Sequence, residues 1–400
     1  METLTTTCCI AGGGPAGMML GWLLARAGVD VIVLERHRDF LRDFRGDTIH
    51  PSTLDVLAEL GALDELLALP HRELPEIDFD ILGERVAGPD LARLPTRCKF
   101  FAMMPQWDFL EFVRRKADIL PRFHLMMESD VTGLVRDGER IAGVTLGDGR
   151  VVRARLVVGC DGRHSVVRTA AGLRVRDLGA PIDVMWMKLR RLPIDRDHVF
   201  AIVTADQFLV MLDRGDYWQC AYLIEKGGFA EIRERGIAAF RGDLRRVVPQ
   251  LGERVDEVRD WDDIKLLTVR VDRLERWAVP GLLCIGDAAH AMSPVGGVGI
   301  NLAVQDAVAT ANLLARGLRE GTLSDAEVDA VQARREPATR KTQALQLQIH
   351  ARVLAKVVRG RGDRTLRIAR WLLRRAPVLR RYVARAIGVG YTPEHVAAVG

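Results

Sequence analysis

The sequence predicts an α/β protein: a discontinuous parallel-sheet domain with a β-sheet domain inserted into it and an arginine-rich helical segment closing the chain. Three observations carry that expectation. Near the N-terminus, and again near residue 285, short apolar strand-like runs alternate with amphipathic helical stretches. Between them apolar residues recur at every second position, broken by Gly and Pro. Beyond residue 325 the spacing is helical throughout. At 400 residues the chain exceeds what one hydrophobic core usually organises, so more than one structural unit is expected. Apolar residues make up 48% and charged residues 28%, which excludes a disordered chain. No apolar run reaches the roughly 20 residues of a bilayer span. The opening METLTTTCCIAGGG has no basic region ahead of its apolar stretch, so a secretory leader is not expected and the chain reads as cytoplasmic.

The first 35 residues read as one βαβ unit. Residues 7–11 (TCCIA) form a buried strand, residues 15–28 a helix with Met18, Leu20, Leu23, Leu24 and Ala27 ending at Gly28, and residues 30–34 (DVIVL) a second strand. A helix is expected over 52–68, with Ser52 and Asp55 in capping-box spacing. Strand-like spacing follows over 76–106, then a helix over 108–117. Residues 125–160 read as a β-meander with DG and GDG turns, and residues 182–225 as further strands. Helical spacing returns at 228–250, a buried strand at 282–285, and a long helix at 301–319. Six cysteines show no metal-type spacing, and most end apolar runs, so buried reduced thiols are expected and no metal site.

The net charge of +5 is the sum of two unlike parts. Residues 334–400 hold 16 Arg and Lys against 3 Asp and Glu, a surplus of 13, which leaves the rest of the chain at −8. Nucleic acid or an anionic surface must be weighed for such a tail. Leu366, Ala369, Leu372, Leu373, Leu379 and Val383 give its helices an apolar face, and docking of that face on the acidic remainder accounts for the charge without an external partner. Neither nucleic acid nor membrane contact is therefore expected, while a homodimer is allowed.

Gly12-Gly13-Gly14-Pro15-Ala16-Gly17 fits G-x-G-x-x-G between a strand and a helix. Gly12 permits the tight turn, Gly14 lets a pyrophosphate approach the backbone, and Gly17 lets helix and strand pack closely. The helix N-terminus, carrying Pro15 and Ala16, then offers free N–H groups to the phosphates. Glu35 follows Gly17 by 18 residues at the end of the next strand, where a carboxylate accepts the hydroxyls of an adenosine ribose. Arg36 beside it either touches adenine or is solvated. This Rossmann-like motif does not distinguish NAD from FAD.

Two later signatures do. Cys160-Asp161-Gly162-Arg163 follows one buried strand and Ile285-Gly286-Asp287-Ala288 another, the latter leading through Pro294-Val295-Gly296-Gly297-Val298-Gly299-Ile300-Asn301 into a helix. With the glycine motif, these residues resemble the FAD-dependent aromatic hydroxylases typified by para-hydroxybenzoate hydroxylase, over roughly residues 5–340. The resemblance implies that Gly12, Gly14 and Gly17 hold the pyrophosphate and Glu35 the ribose. It further implies that Arg45 contacts FAD, Gln106 lies near the ribityl chain, and Asp287 with Gly286 binds ribityl hydroxyls. Residues from Pro294 through Gly297, Gly299 and Ile300 to Asn301 would pack along the isoalloxazine, and Asp161 would serve FAD and nicotinamide binding. Pro294, and His50 as a polar group facing the flavin, are the catalytic candidates.

By the same resemblance, NAD(P)H is a transient reductant without its own domain, and a flavin C4a-hydroperoxide hydroxylates a phenolic or polycyclic aromatic small molecule with O2. A non-oxygenating reductase or dehydrogenase, or an epoxidase, is the alternative on the same fold. The FAD-binding domain is expected over 1–75, 100–180 and 275–335, the β-sheet substrate domain over 76–99 and 181–274, and the helical segment over 336–400. Met103, Met185, Met187, Phe208, Met211, Trp218 and Tyr222 are the candidate cavity walls, since apolar and aromatic side chains suit a planar ring. Alternation within a strand sends half of such residues the other way.

Overall fold

The computed structural model describes residues 2–41, 48–195 and 200–397. The strand Thr3–Ala11 runs down the middle of the first sheet, parallel to Val151–Gly159 on one side and Val31–Leu34 on the other. Leu282–Cys284 and Phe123–Met126 extend the parallel array outward. These strands read as unbroken apolar runs because helices and loops cover both their faces. Cys8, Cys9, Val31, Val33, Val157 and Leu283 are fully enclosed. All six cysteines are buried free thiols. Val131–Asp137, Arg140–Leu146 and Val151–Gly159 make the expected antiparallel meander, whose last strand continues into the parallel array.

A second sheet of seven strands runs in the order Lys265–Leu267, Ile182–Arg190, Tyr217–Glu225, Phe208–Asp213, Ala201–Val203, Glu76–Ile81, Glu84–Asp90. The chain thus leaves the first sheet twice, and the two excursions meet where Glu76–Ile81 pairs in parallel with Ala201–Val203. A small sheet of Thr48–Ile49, Phe101–Met103 and Arg72–Leu74 lies at the crossings. The helix expected over 52–68 is in fact two, Pro51–Glu59 and Leu63–Leu67, separated at Gly61 with φ +68°. Ser52 does not cap it. The helix begins on Pro51, and the Ser52 hydroxyl turns to Asn301 and the Gly388 carbonyl instead.

The helix Gly299–Glu320 packs against Pro15–Arg26 in the first core. Val295–Glu320 is long and apolar enough to cross a membrane, but 78% of its apolar window is buried, as in the core helix of a globular domain. The helix Asp325–Ile349 opens with a Ser324/Glu327 capping box and continues through a π-helical turn, His350–Leu354. Two shorter helices, Asp363–Arg375 and Pro377–Gly388, then cover the edge strand Glu84–Asp90. Arg370 and Arg374 reach Glu84 at 2.6 and 2.7 Å, and Arg380 donates to the Gly88 carbonyl at 2.7 Å. Such cover protects an edge that would otherwise pair with another chain.

The expected docking of the tail's apolar face holds only in part. Leu366 is buried and Ala369, Leu373 and Val383 are half-buried, whereas Leu372 and Leu379 are exposed. The arginine contacts to the edge strand fix which side faces inward, and the opposite apolar side is left outside.

Candidate active site

The glycine turn has the shape that a pyrophosphate needs. Gly12 sits at φ +108°, and a Cβ there would lie 2.4 Å from the Cys160 carbonyl oxygen. A Cβ at Gly17 would lie 1.9 Å from the Gly12 carbonyl oxygen, so both positions exclude a side chain. At Gly14, by contrast, a Cβ would meet nothing within 4 Å. That open space lies at the N-terminus of Pro15–Arg26, whose first turn has no side-chain cap and no acidic residue. Unsatisfied N–H groups in such a place attract anions.

Glu35 is buried and held from two sides, accepting from the Gly13 and His37 amides at 3.0 Å each. Its carboxylate is therefore fixed beside the turn. Arg36 points outward and donates to the His37 ring at 3.0 Å. Arg45 lies outside the described residues. Gln106 opens the helix Gln106–Asp118.

Asp161 and Asp287 stand at adjacent strand ends but do different work. One Asp161 oxygen accepts from the Val166 and Val167 amides at 2.8 and 3.1 Å, capping a short helix. Its other oxygen is buried with no partner among the described residues. Burial raises the Asp161 carboxyl above its ordinary value, against the hydrogen bonds that lower it. Asp287 remains accessible and takes a 3.1 Å hydrogen bond from Arg163.

The loop from Pro294 to Asn301 is shaped by two consecutive left-handed glycines, Gly296 at φ +82° and Gly297 at φ +63°. Gly299 faces open space, Ile300 is buried, and the buried Asn301 accepts from Ser52 and Thr53 at 2.7 and 2.9 Å. His50 lies against this loop. Its Nδ1 pairs with the Ile387 carbonyl at 2.8 Å, its ring meets Phe101 edge-on at 4.6 Å, and its Nε2 has no recorded partner among the described residues. A Cβ on Gly297 would lie 3.4 Å from that nitrogen. Burial pushes the His50 imidazole down to about 4, which leaves it neutral near pH 7.

The candidate cavity walls divide by strand parity. Met187, Met211, Trp218 and Tyr222 point to the outer face of the second sheet, where they pack with Met185 against Phe240 and Leu244. Tyr222 meets Phe240 edge-on at 5.4 Å, and the Trp218 indole donates to Asp195 at 3.0 Å. These four, and Met185 with them, are corrected to ordinary sheet core, because the register Met185↔Tyr222, Met187↔Cys220 and Met211↔Cys220 puts them on the side away from Val295. Phe208 does face inward, beside Val295 of the loop. The inner side instead carries Trp186, Val210 and Leu212, near Phe101 and Met103. The Trp186 indole nitrogen is buried with no partner among the described residues. Strand alternation applied outward from Phe208 reaches Val210 and Leu212 as inward residues.

A second group had no separate sign in the motifs. Asp306, fully buried, accepts from the Gly286 amide at 3.1 Å, from Arg335 at 3.0 Å, and pairs with His290 at 2.6 Å. Burial alone would raise its carboxyl, but His290 and Arg335 hold it below its ordinary value. Further along the same C-terminal helix, Gln343 donates to the Asp272 and Ala291 carbonyls. Gln346 donates to Ser293 and Val295 carbonyls at 3.0 and 2.8 Å and accepts from the Ser293 amide. His350 meets the Ser293 hydroxyl at 2.7 Å. Arg335, Thr339, Thr342, Gln343, Gln346 and His350 are all buried and recur at helical spacing. That polar stripe, at i, i+4, i+7, i+8, i+11 and i+15, is the signal that could have found them.

The whole arrangement fits FAD: an open anion cradle at Gly14, a fixed carboxylate at Glu35, an accessible Asp287, and a glycine loop with free space at Gly299. A family model described as an FAD binding domain matches residues 5–345. The chain is 35% identical over 386 residues to 6-methylpretetramide 4-monooxygenase of Streptomyces rimosus, covering 95% of this chain and 91% of that protein. Among solved structures it resembles PqsL, a probable FAD-dependent monooxygenase from Pseudomonas aeruginosa, with a TM-score of 0.76 and 25% identity over 91% of this chain and 100% of that one. It shares its fold with p-nitrophenol 4-monooxygenase PnpA from Pseudomonas putida, with a TM-score of 0.75 and 21% identity over 96% of this chain and 97% of that one. With the cradle and the matched model coinciding on the same residues, the chain belongs to the FAD-binding domain family and is an FAD-dependent monooxygenase of the aromatic-hydroxylase type.

Proposed function

We propose that this enzyme hydroxylates a phenolic or polycyclic aromatic small molecule, using NAD(P)H as reductant and O2 as oxygen donor. The observation that carries the reading is the two-ended cradle, open at Gly14 and again at Gly299, with the Glu35 carboxylate fixed beside the first opening and an accessible Asp287 at the end of a neighbouring strand. When bound, FAD supplies the activation of O2 and the transfer of one oxygen atom, and the protein supplies position and exclusion of water.

Gly12, Gly14, Gly17 and the N-terminus at Pro15 and Ala16 bind the pyrophosphate, and Glu35 orients the adenosine ribose, with Arg36 at its rim. Asp287, steadied by Arg163, holds the ribityl chain together with Gly286 and Gln106, and Arg45 contacts FAD. Asp161, at the end of the strand beside that of Asp287, serves FAD and nicotinamide binding. Pro294, Gly297, Gly299, Ile300 and Asn301 present backbone to the flat ring. His50, kept neutral by burial, offers its ring beside Gly297 there. Phe101, Met103, Trp186, Phe208, Val210 and Leu212 form the apolar wall facing the loop, and a planar, largely apolar substrate suits it. The enzyme works in the cytoplasm, with no nucleic-acid partner.

The test is a panel of phenols and polycyclic aromatics scored for stimulated NAD(P)H oxidation by the FAD-loaded enzyme under 18O2, followed by mass spectrometry. One labelled oxygen in the product supports the reading. Substrate turnover with no label in the product contradicts it and favours a non-oxygenating flavoenzyme.

A further inference from the structure

We propose that the helix pair Asp363–Arg375 and Pro377–Gly388 is a docking surface for an anionic lipid membrane. Leu366 and Ala384, buried at 2% and 0% exposure, anchor the pair's inner side, and Arg370 and Arg374 tie it to Glu84. The outer side is apolar and open. Ile368, Trp371, Leu372, Val378, Leu379 and Tyr382 are 37–73% exposed, and they are six of the 13 exposed large hydrophobic side chains recorded among the described residues. Ile368, Trp371 and Leu372 stand at i, i+3 and i+4, and Val378 and Tyr382 at i and i+4, so each helix contributes one stripe. A single residue, Ala376, joins the two helices.

Charge selects the occupant. Residues 363–388 carry eight arginines against one acidic residue, Asp363. Among the described residues Arg364, Arg375 and Arg385 have no carboxylate within ion-pair distance. Arg364 precedes Ile368 by four residues and Arg375 follows Trp371 by four, so both flank the apolar stripe at helical spacing. An apolar strip with Trp and Tyr, rimmed by arginine, is the composition of a helix lying in a headgroup layer. A second copy of the chain is the poorer occupant, because a two-fold contact through this face would set arginine against arginine. The helices, of 13 and 12 residues, are too short to span, so the surface lies on the bilayer. Beyond Tyr382 the second helix reaches Ile387 and Gly388, whose carbonyls contact His50 and Ser52, so the surface continues to the edge of the active site.

The experiment is co-sedimentation of the full-length, FAD-loaded protein with vesicles of phosphatidylglycerol mixed with phosphatidylcholine, beside vesicles of phosphatidylcholine alone. Binding to the anionic vesicles is expected to exceed binding to the neutral ones at least about fivefold and to fall as salt rises. The double variant Ile368→Ser/Trp371→Ser should lose the binding and keep the parent's unfolding midpoint. Arg364→Gln/Arg375→Gln/Arg385→Gln should weaken it about fivefold or more. Subtracting the Trp371→Phe spectrum should show Trp371 emission moving to the blue on anionic vesicles. No sedimentation with anionic vesicles, or binding unchanged in the serine variant, overturns the proposal. So does light scattering that finds a dimer dissolved by the serine variant while vesicles go unbound.

Discussion

Two consecutive stretches of the same C-terminal arm use helices in opposite ways. The helix Asp325–Ile349, with its π-turn His350–Leu354, buries polar side chains and aims them at the loops expected to hold the flavin. The pair Asp363–Arg375 and Pro377–Gly388 exposes apolar side chains and aims arginines at an edge strand and at solvent. In the first stretch every contact is specific: Arg335 to Asp306, Gln343 to Asp272 and Ala291, Gln346 to Ser293 and Val295. A buried polar group without its partner costs far more than a made bond contributes, so such a stripe fixes one register of the helix on the loop. The second stretch has no comparable lock. Helical spacing alone makes the two look alike, and they differ in composition and in which face meets the body of the protein.

The largest break of that comparison is Asp306→Ala. It removes the closer carboxylate from Arg335 and the only carboxylate recorded against His290, leaving buried Arg335 with the longer 3.4 Å contact to Glu394, and should cost about 3–5 kcal/mol in chemical denaturation together with FAD retention. A cost under about 1 kcal/mol would mean that the network is not a lock.

Acid should loosen the same region next. Burial pushes His50 and His350 down to about 4 from an ordinary 6.5, so the unfolded chain binds their protons more readily than the folded one. Their contribution is fully present above pH 6.5 and is lost as pH falls toward 4. Denaturation at neutral pH and at about pH 5 should differ by roughly 1–3 kcal/mol, and a His50→Gln/His350→Gln variant should flatten that slope.

Gln346→Leu should be milder, at about 1–3 kcal/mol for the loop groups it leaves unsatisfied, with the loss read in FAD affinity as well as in unfolding. Smallest of all is Ile368→Ser/Trp371→Ser, an exposed change that should stay within about 0.5 kcal/mol of the parent in the same unfolding assay.

The parts legible in the sequence are those where one residue type answers one local demand. Gly12 and Gly17 read directly because no Cβ fits there, and Glu35 because the strand before it ends beside the glycine turn, where the Gly13 amide holds its carboxylate. The apolar runs of the parallel sheet read as strands because both their faces are covered. The cavity wall did not read, since Met187, Trp218 and Tyr222 look as suitable as Trp186 and Val210 until pairing fixes the parity of each strand. Asp306 and the polar stripe from Thr339 to His350 escaped for another reason. The partners of Asp306, Gln343, Gln346 and His350 are backbone groups and side chains 16 to 71 residues away, which only the folded helices bring within reach. The tail's apolar face was visible in spacing, but which side turns inward depends on Glu84, on a strand far back in the chain.

The most direct measurement is the FAD dissociation constant of the apoprotein for three forms: the parent, Gln343→Leu/Gln346→Leu, and Ile368→Ser/Trp371→Ser. If the first stretch of the arm locks the flavin loop and the outer face of the second does not touch it, the glutamine variant should bind FAD at least about tenfold more weakly and the surface variant as the parent does. Equal affinity in all three forms, or a loss confined to the surface variant, would contradict the account.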